Sequence, residues 1–353
     1  MSYADATNPN APVSMVEKWD KTFPQSSKVE HRKVTFPNRY GITLVGDLYL
    51  PKDRGQGKLA AIAVSGPFGA VKEQSSGLYA QTLAENGFVT LAFDPSYTGE
   101  SGGQPRNVAS PDINTEDFSA AIDFLGLQNE VDRNRIGILG ICGWGGMALN
   151  AAAMDTRVKA VATSVMYDMS RAMGHGVGDG TDRYSTADRR AVLQYLNAQR
   201  WKDAENGAPA PGGHDIYVDD KGNVTAAGRI LPEVLPADPH PVLKEFFDYY
   251  RMPRGFHPRS VNSTGAWTAT TPLSFMNMPL LSYAGEITIP TLIVTGENAH
   301  SRYFAEDAYK AVGSKEKALV IVPGANHVDL YDNAAGKIPF TRFEQFFDAS
   351  LKK

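Results

Sequence analysis

The chain contains a single cysteine, Cys142, at a point where a strand is predicted to turn into a helix. Residues 136–141 form a short apolar run broken only by glycine, which is typical of a strand buried on both faces. Gly140 and Gly143 flank the cysteine, and the helix-forming segment MALNAAAM follows. We therefore predict that Cys142 lies at a sharp bend above a sheet, where its thiol could act as a nucleophile.

The register of this bend depends on Trp144, which stands two places after Cys142, where a small residue is usual. Counting back from the tryptophan would put the nucleophile at Gly143, which has no side chain. Counting forward from the strand puts it at Cys142. The alternative is a small buried cysteine without chemistry, but such a residue needs no glycine-flanked turn. A helix N-terminus and a nearby histidine would favour the thiolate of Cys142.

These features resemble those of the α/β-hydrolases. The residues that carry the resemblance are the bend at 140–146, the loop Gly-Ala-Asn-His at 324–327 and the order of strands and helices from residue 29 onward. The bend is similar to the nucleophile elbow of Xaa-Pro dipeptidyl peptidase and cocaine-esterase-like hydrolases, with cysteine for serine. A cysteine nucleophile is also similar to that of dienelactone hydrolases. The resemblance implies that His327 takes the proton of Cys142 and returns it to the leaving group.

The acid that orients the histidine is left open by the sequence. The family usually has an aspartate where this chain has Ala299. Asp168, at the end of a preceding strand, and Glu297, in the nearer loop, are the two replacements. A third alternative is that no acid is present, because a Cys–His pair can ionise on its own.

The resemblance also implies a pair of backbone N–H groups that bind an oxyanion. The first belongs to Gly143, the residue after the nucleophile. The second comes from the loop that follows the strand at 59–64. Pro67 has no N–H group, so we expect Phe68 to be the donor.

Buried strands that alternate with helices predict an α/β fold with a doubly wound, mostly parallel sheet. The rhythm stops in the middle of the chain, which is rich in Gly, Pro and aromatic residues. We interpret this part as an inserted lid over the carboxyl ends of the strands, with a separate domain as the alternative. The predicted organisation is an N-terminal surface arm at 1–28, an α/β-hydrolase core at 29–168 and 287–353, and the lid at 169–286.

Composition restricts the partners. The net charge of −4 offers no basic surface for nucleic acid. No apolar stretch is long enough to cross a membrane, and no signal peptide is visible. We therefore expect a cytoplasmic protein. Histidines at ligand spacing, a CxxC motif and a dinucleotide fingerprint are all missing from the sequence, so we expect no metal and no cofactor.

The sequence thus predicts an enzyme that acts on a small acyl substrate. It would cleave a carboxylic ester, thioester or lactone through a covalent acyl-cysteine. Acyl transfer to another acceptor and a catalytically silent binding module are the alternatives. Lid aromatics would suit an apolar acyl group, namely Trp201, Phe246, Phe247, Tyr249, Tyr250 and Trp267.

Overall fold

The computed structural model describes residues 8–178 and 180–352. Its strands are β1 (Val29–Pro37), β2 (Thr43–Pro51), β3 (Leu59–Ser65), β4 (Val89–Phe93), β5 (Val131–Ile141), β6 (Val158–Ser164), β7 (Pro211–Gly212), β8 (Ile216–Val218), β9 (Val224–Ala226), β10 (Trp267–Thr268), β11 (Thr291–Gly296) and β12 (Lys317–Val322). Its α-helices are α1 (Ser75–Glu85), α2 (Pro111–Gly126), α3 (Gly143–Met154), α4 (Met169–His175), α5 (Thr186–Asn206), α6 (Pro241–Tyr250), α7 (Val261–Thr264), α8 (Thr271–Met276), α9 (Arg302–Ala311) and α10 (Phe340–Leu351). Short 3₁₀ turns lie at Ala284–Glu286 and Val328–Leu330.

Eight strands form the central sheet in the order β1-β2-β4-β3-β5-β6-β11-β12. The β1–β2 and β2–β4 pairs are antiparallel, and the remaining pairs are parallel. Strands such as β4 are buried along their whole length because helices flank the sheet. Helix α1 packs against α10, and α2 packs against α3. The predicted fold class is confirmed.

The segment between β6 and β11 holds α4 to α8 and two small sheets, β7–β10 and β8–β9. It covers the carboxyl end of the main sheet, since Trp267 of β10 stacks on Phe68 just beyond β3, with ring centroids 4.4 Å apart. We call this segment, residues 165–290, the cap. The predicted lid boundaries at 169 and 286 remain a prediction.

The predicted N-terminal arm is fixed to the core over residues 8–28. Phe23 is buried, and Lys21 pairs with Asp47 of β2 at 2.7 Å. The Val13 N–H donates to the carbonyl of Glu100 at 2.8 Å. The arm is therefore a packed part of the fold. Among the described residues, no helix is both long and apolar enough to span a bilayer.

Candidate active site

Cys142 lies between β5 and α3 with φ 56° and ψ −127°. Non-glycine residues rarely adopt this conformation, so it persists only where neighbours hold it. The N–H of Cys142 donates to the carbonyl of Ser164 at 2.9 Å. Its carbonyl accepts from the N–H groups of Gly145 and Tyr167, each at 2.9 Å. The strained bend expected from the sequence is therefore present and is held by β6 and the start of the cap.

Trp144 is accommodated in the core below the bend. Its ring packs edge-on against Phe93 and Phe118, with centroids 5.9 Å and 5.5 Å away. Gly66 makes the room, because a Cβ there would lie 2.9 Å from Cβ of Trp144. The unusual tryptophan thus leaves the space above Cys142 open.

The thiol faces three hydrogen-bonding groups. Both predicted donors, the N–H groups of Phe68 and Gly143, act on it, and so does the hydroxyl of Tyr331. Burial raises the pKa of the Cys142 thiol, and these three groups lower it by less, so that the pKa ends above its ordinary value. Removal from water outweighs the donors, which works against the ground-state thiolate expected from the sequence and favours a neutral thiol.

Cys142 opens into a cavity of about 730 Å³, within the usual size of small-molecule sites. Only 6% of the cysteine is exposed. The core contributes few of the walls and the cap contributes most of them. Cap residues with apolar or aromatic side chains on the wall include Met169, Met173, Ile230, Leu231, Leu243, Phe246 and Tyr250. Of the other predicted aromatics, Trp201 is 73% exposed on α5 and does not line the cavity.

His327 is fully buried behind this cavity, and both ring nitrogens are engaged. Nδ1 lies 2.6 Å from Oγ of Ser301, and Nε2 lies 2.9 Å from the hydroxyl of Tyr331. Burial holds the pKa of His327 well below its ordinary value, and the neighbouring His300 lowers it further. The imidazole is therefore neutral at rest.

Tyr331 stands between the predicted nucleophile and the predicted base. Its hydroxyl contacts Nε2 of His327 and also acts on the Cys142 thiol. Among the described residues, Cys142 and His327 share no hydrogen bond, which corrects the expectation of a direct pair. The structure brings both residues to one place, linked through the tyrosine.

Neither predicted carboxylate reaches His327. Asp168 caps α4, where it accepts from the Arg171 N–H at 3.0 Å and from the Ser170 hydroxyl. Glu297 is exposed and accepts from the N–H of Gly324 at 2.7 Å. Both carboxylates are committed elsewhere and both imidazole nitrogens are occupied. The loop after β11 does reach the histidine, as the resemblance implies, but with Ser301 in place of an acid.

Residues that the sequence did not single out complete the site. Tyr331 is four residues beyond His327, and the 3₁₀ turn between them brings its hydroxyl to the imidazole. Tyr167 hydrogen-bonds to Nε2 of His300, and burial lowers the pKa of His300 to about 4. The four-residue spacing of His327 and Tyr331 was the one available signal. Nothing in the sequence around Ser301 or Tyr167 marks either of them as a site residue.

One carboxylate cluster has the spacing of a metal site. Oxygens of Glu73, Asp94 and Glu100 all lie within 4.8 Å of one another. The ammonium group of Lys72 contacts all three, at 2.7, 2.8 and 2.6 Å. The lysine supplies the positive charge, so the cluster is a buried ion network that braces the loop carrying Phe68.

The sheet order, the strained bend and the covered cavity define the α/β-hydrolase superfamily, to which this chain belongs. A family model described as PETase: PET hydrolase-like matches residues 7–177. PA2218 from Pseudomonas aeruginosa is 61% identical over 97% of this chain and 86% of that protein. Its crystal structure matches with a TM-score of 0.87 at 60% identity, covering 97% of this chain and 100% of the other.

Two further relatives differ in how much of the chain they match. YcjY from Escherichia coli K12 is 34% identical over 86% of this chain and 94% of that protein. Thiohydrolase aneE from Aspergillus aculeatus is 35% identical over 131 residues, which is 37% of this chain and 40% of that protein.

Proposed function

We propose that this protein hydrolyses an acyl ester bond through a covalent acyl-cysteine at Cys142. The observation that carries the proposal is the position of the thiol, at a strained strand–helix bend with the N–H groups of Phe68 and Gly143 facing it. A carbonyl carbon bonded to this sulfur would direct its oxygen toward the same two donors. Preorganised donors of this kind stabilise the tetrahedral intermediate of acyl transfer.

The attack begins from neutral partners. In the tautomer with hydrogen on Nδ1, His327 donates to Ser301 and accepts from the Tyr331 hydroxyl at Nε2. As sulfur bonds to the carbonyl carbon, the thiol proton passes to the tyrosine oxygen, and the tyrosine proton passes to Nε2. The imidazolium then returns a proton by the same route to the departing oxygen or sulfur. Because both groups rest neutral, the charges develop only in the transition state.

A thioester is the substrate class that we favour among esters, thioesters and lactones. Attack by a thiol on a thioester exchanges one carbon–sulfur bond for another, so a cysteine nucleophile costs little in this reaction. The partial similarity to thiohydrolase aneE points the same way. The cavity of about 730 Å³, with Phe246 and Tyr250 on its wall, has room for an extended apolar acyl group.

Acyl transfer to an alcohol or amine is the second candidate. The observation in its favour is that the catalytic thiol opens into a deep cavity mostly walled by the cap, where an acceptor larger than water could also bind. Trp144 gives no support to a silent binding module, because its ring packs in the core and leaves the space above Cys142 open.

The test is acylation followed by intact-mass measurement. Wild-type protein mixed with a panel of short, long and aromatic acyl thioesters is expected to gain the acyl mass, and Cys142→Ala is not. Release of the adduct by water supports hydrolysis, whereas faster release by an added alcohol or amine supports the transferase. The same acyl groups are also offered as p-nitrophenyl esters. An unchanged protein mass with every thioester and every p-nitrophenyl ester would falsify the proposal of an acyl-cysteine intermediate.

A further inference from the structure

A histidine–aspartate pair on the cap lines the same cavity as Cys142. Nδ1 of His214 lies 2.9 Å from a carboxylate oxygen of Asp215, and both residues are on the cavity wall. The pairing of β7 with β10 places them, because Gly212 is opposite Trp267 and Trp267 stacks on Phe68. The His214 ring consequently packs against the Phe68 ring, with centroids 5.5 Å apart. The pair thus lies beside a residue whose N–H faces the thiol.

Resting on the proposed acyl-cysteine chemistry, we propose that His214, oriented by Asp215, is the base that activates water to release the acyl group. The water oxygen bonds to the acyl carbon while one of its protons passes to Nε2 of His214. The carbon–sulfur bond breaks with its electron pair left on sulfur, and the imidazolium returns the proton to the thiolate. A carboxylic acid and the free thiol result, so atoms and charges balance.

The surroundings of His327, the proposed base for acylation, explain why release of the acyl group needs a second base. His327 is sealed behind Tyr331, has both nitrogens engaged and touches no carboxylate. An incoming water in the cavity therefore cannot reach it directly. His214 has its Nδ1 on a carboxylate, and its Nε2 has no hydrogen-bond partner within residues 8–178 and 180–352. The carboxylate beside Nδ1 favours the tautomer that carries hydrogen there, which leaves Nε2 as the nitrogen that can accept a proton.

The two other histidines on the cavity wall lack this arrangement. His300 gives its Nε2 to Tyr167, and burial lowers its pKa to about 4. His240 uses Nδ1 to cap α6 at the Val242 N–H, 3.3 Å away. In contrast, burial lowers the pKa of His214 but Asp215 raises it more, so that it ends above the ordinary value. The carboxylate is what distinguishes His214, within the described part of the chain.

The test separates formation of the acyl-enzyme from its loss. The protein is mixed rapidly with an excess of an acyl thioester and quenched after different times. Intact-mass measurement of the quenched samples gives the rate at which the adduct forms and the rate at which it is lost. His214→Gln is expected to form the adduct as wild type does and to lose it to water about 10²–10⁴-fold more slowly. Asp215→Asn should also slow the loss, and it serves where His214→Gln fails to fold. His175→Gln is the control, because that cap histidine is exposed and does not line the cavity, and it should lose the adduct at the wild-type rate.

Discharge of the adduct by a second nucleophile, hydroxylamine, tests whether His214 has only a structural role. Hydroxylamine needs less help from a base than water does, so it should discharge the wild-type and His214→Gln adducts at similar rates. Slow discharge by hydroxylamine as well would mean a damaged site and would overturn the assignment of a base. Equal rates of hydrolysis in both proteins would also overturn it while leaving the acyl-cysteine intact. Absence of any adduct in the wild type would overturn both proposals.

Discussion

The hydroxyl of Tyr331 lies 2.9 Å from Nε2 of His327 and also acts on the Cys142 thiol, so a tyrosine links the two groups of the proposed reaction. A direct Cys–His pair can rest as thiolate and imidazolium. Here burial raises the pKa of the thiol and lowers that of the histidine, which favours the neutral pair.

Removal of the linking hydroxyl should stop proton transfer while keeping the shape of the site. We expect Tyr331→Phe to lower kcat/KM for a thioester by about 10²–10⁴-fold, the usual contribution of a positioned acid or base, with little change in KM. Tyr217→Phe is the matched control, because that ring also lines the cavity and its hydroxyl makes no hydrogen bond to Cys142, His327 or Tyr331 in the described residues. Steady-state kinetics measure both. Similar activity in the two variants would remove Tyr331 from the pathway.

Ser301, rather than a carboxylate, should support His327. We expect Ser301→Ala to lower kcat more than either Asp168→Asn or Glu297→Gln, because Ser301 is the one of these three residues that contacts the ring. Asp168→Ala, which removes the α4 cap, should instead cost about 1 kcal/mol of stability. Kinetics and urea unfolding give the two quantities. A much larger loss of turnover in Asp168→Asn than in Ser301→Ala would restore the aspartate as the orienting acid.

The rate at which Cys142 is alkylated should depend on pH in the way expected for a buried thiol that is neutral at rest. A thiol is protonated below its pKa, and the pKa of Cys142 is raised. The rate with iodoacetamide should therefore rise about tenfold for each pH unit from about pH 6.5 to 8.5, without a plateau. Mass spectrometry follows the labelling, and circular dichroism checks the fold at each pH. A plateau near neutral pH would instead reveal an activated thiolate.

The buried ion network should be sensitive to loss of its central cation. Lys72→Met leaves Glu73, Asp94 and Glu100 buried close together without their shared ammonium group. We expect a loss of about 3–5 kcal/mol in the free energy of unfolding, because a broken buried pair leaves an uncompensated charge. Lys310→Met is the control, since its 2.9 Å pair with Asp307 is exposed, and it should cost less than about 1 kcal/mol. Equal losses in urea unfolding would contradict the central role of Lys72.

Local sequence patterns were sufficient for the fold and for the bend that holds Cys142, the proposed nucleophile. The apolar runs of β3, β4 and β5 and the glycines around Cys142 specify buried strands and a tight bend through interactions of near neighbours. The two N–H groups that face the thiol followed in the same way, because Phe68 comes directly after Pro67 and Gly143 directly after the cysteine. Chain order was enough to select His327 among seven histidines.

The contacts of those residues were decided by the tertiary structure. Ser301 and His327 are 26 positions apart, and Tyr331 meets Cys142 from the far end of the chain. Their meeting depends on how β11, the last 3₁₀ turn and α6 pack, which no short window of sequence contains. Asp168 was one of the two carboxylates that the sequence offered as the orienting acid, yet it satisfies the N-terminus of α4. The hydrogen-bond partner of a polar side chain depends on which groups the packing brings near it. Composition and spacing alone therefore could not show that a serine, rather than an aspartate, contacts Nδ1 of His327.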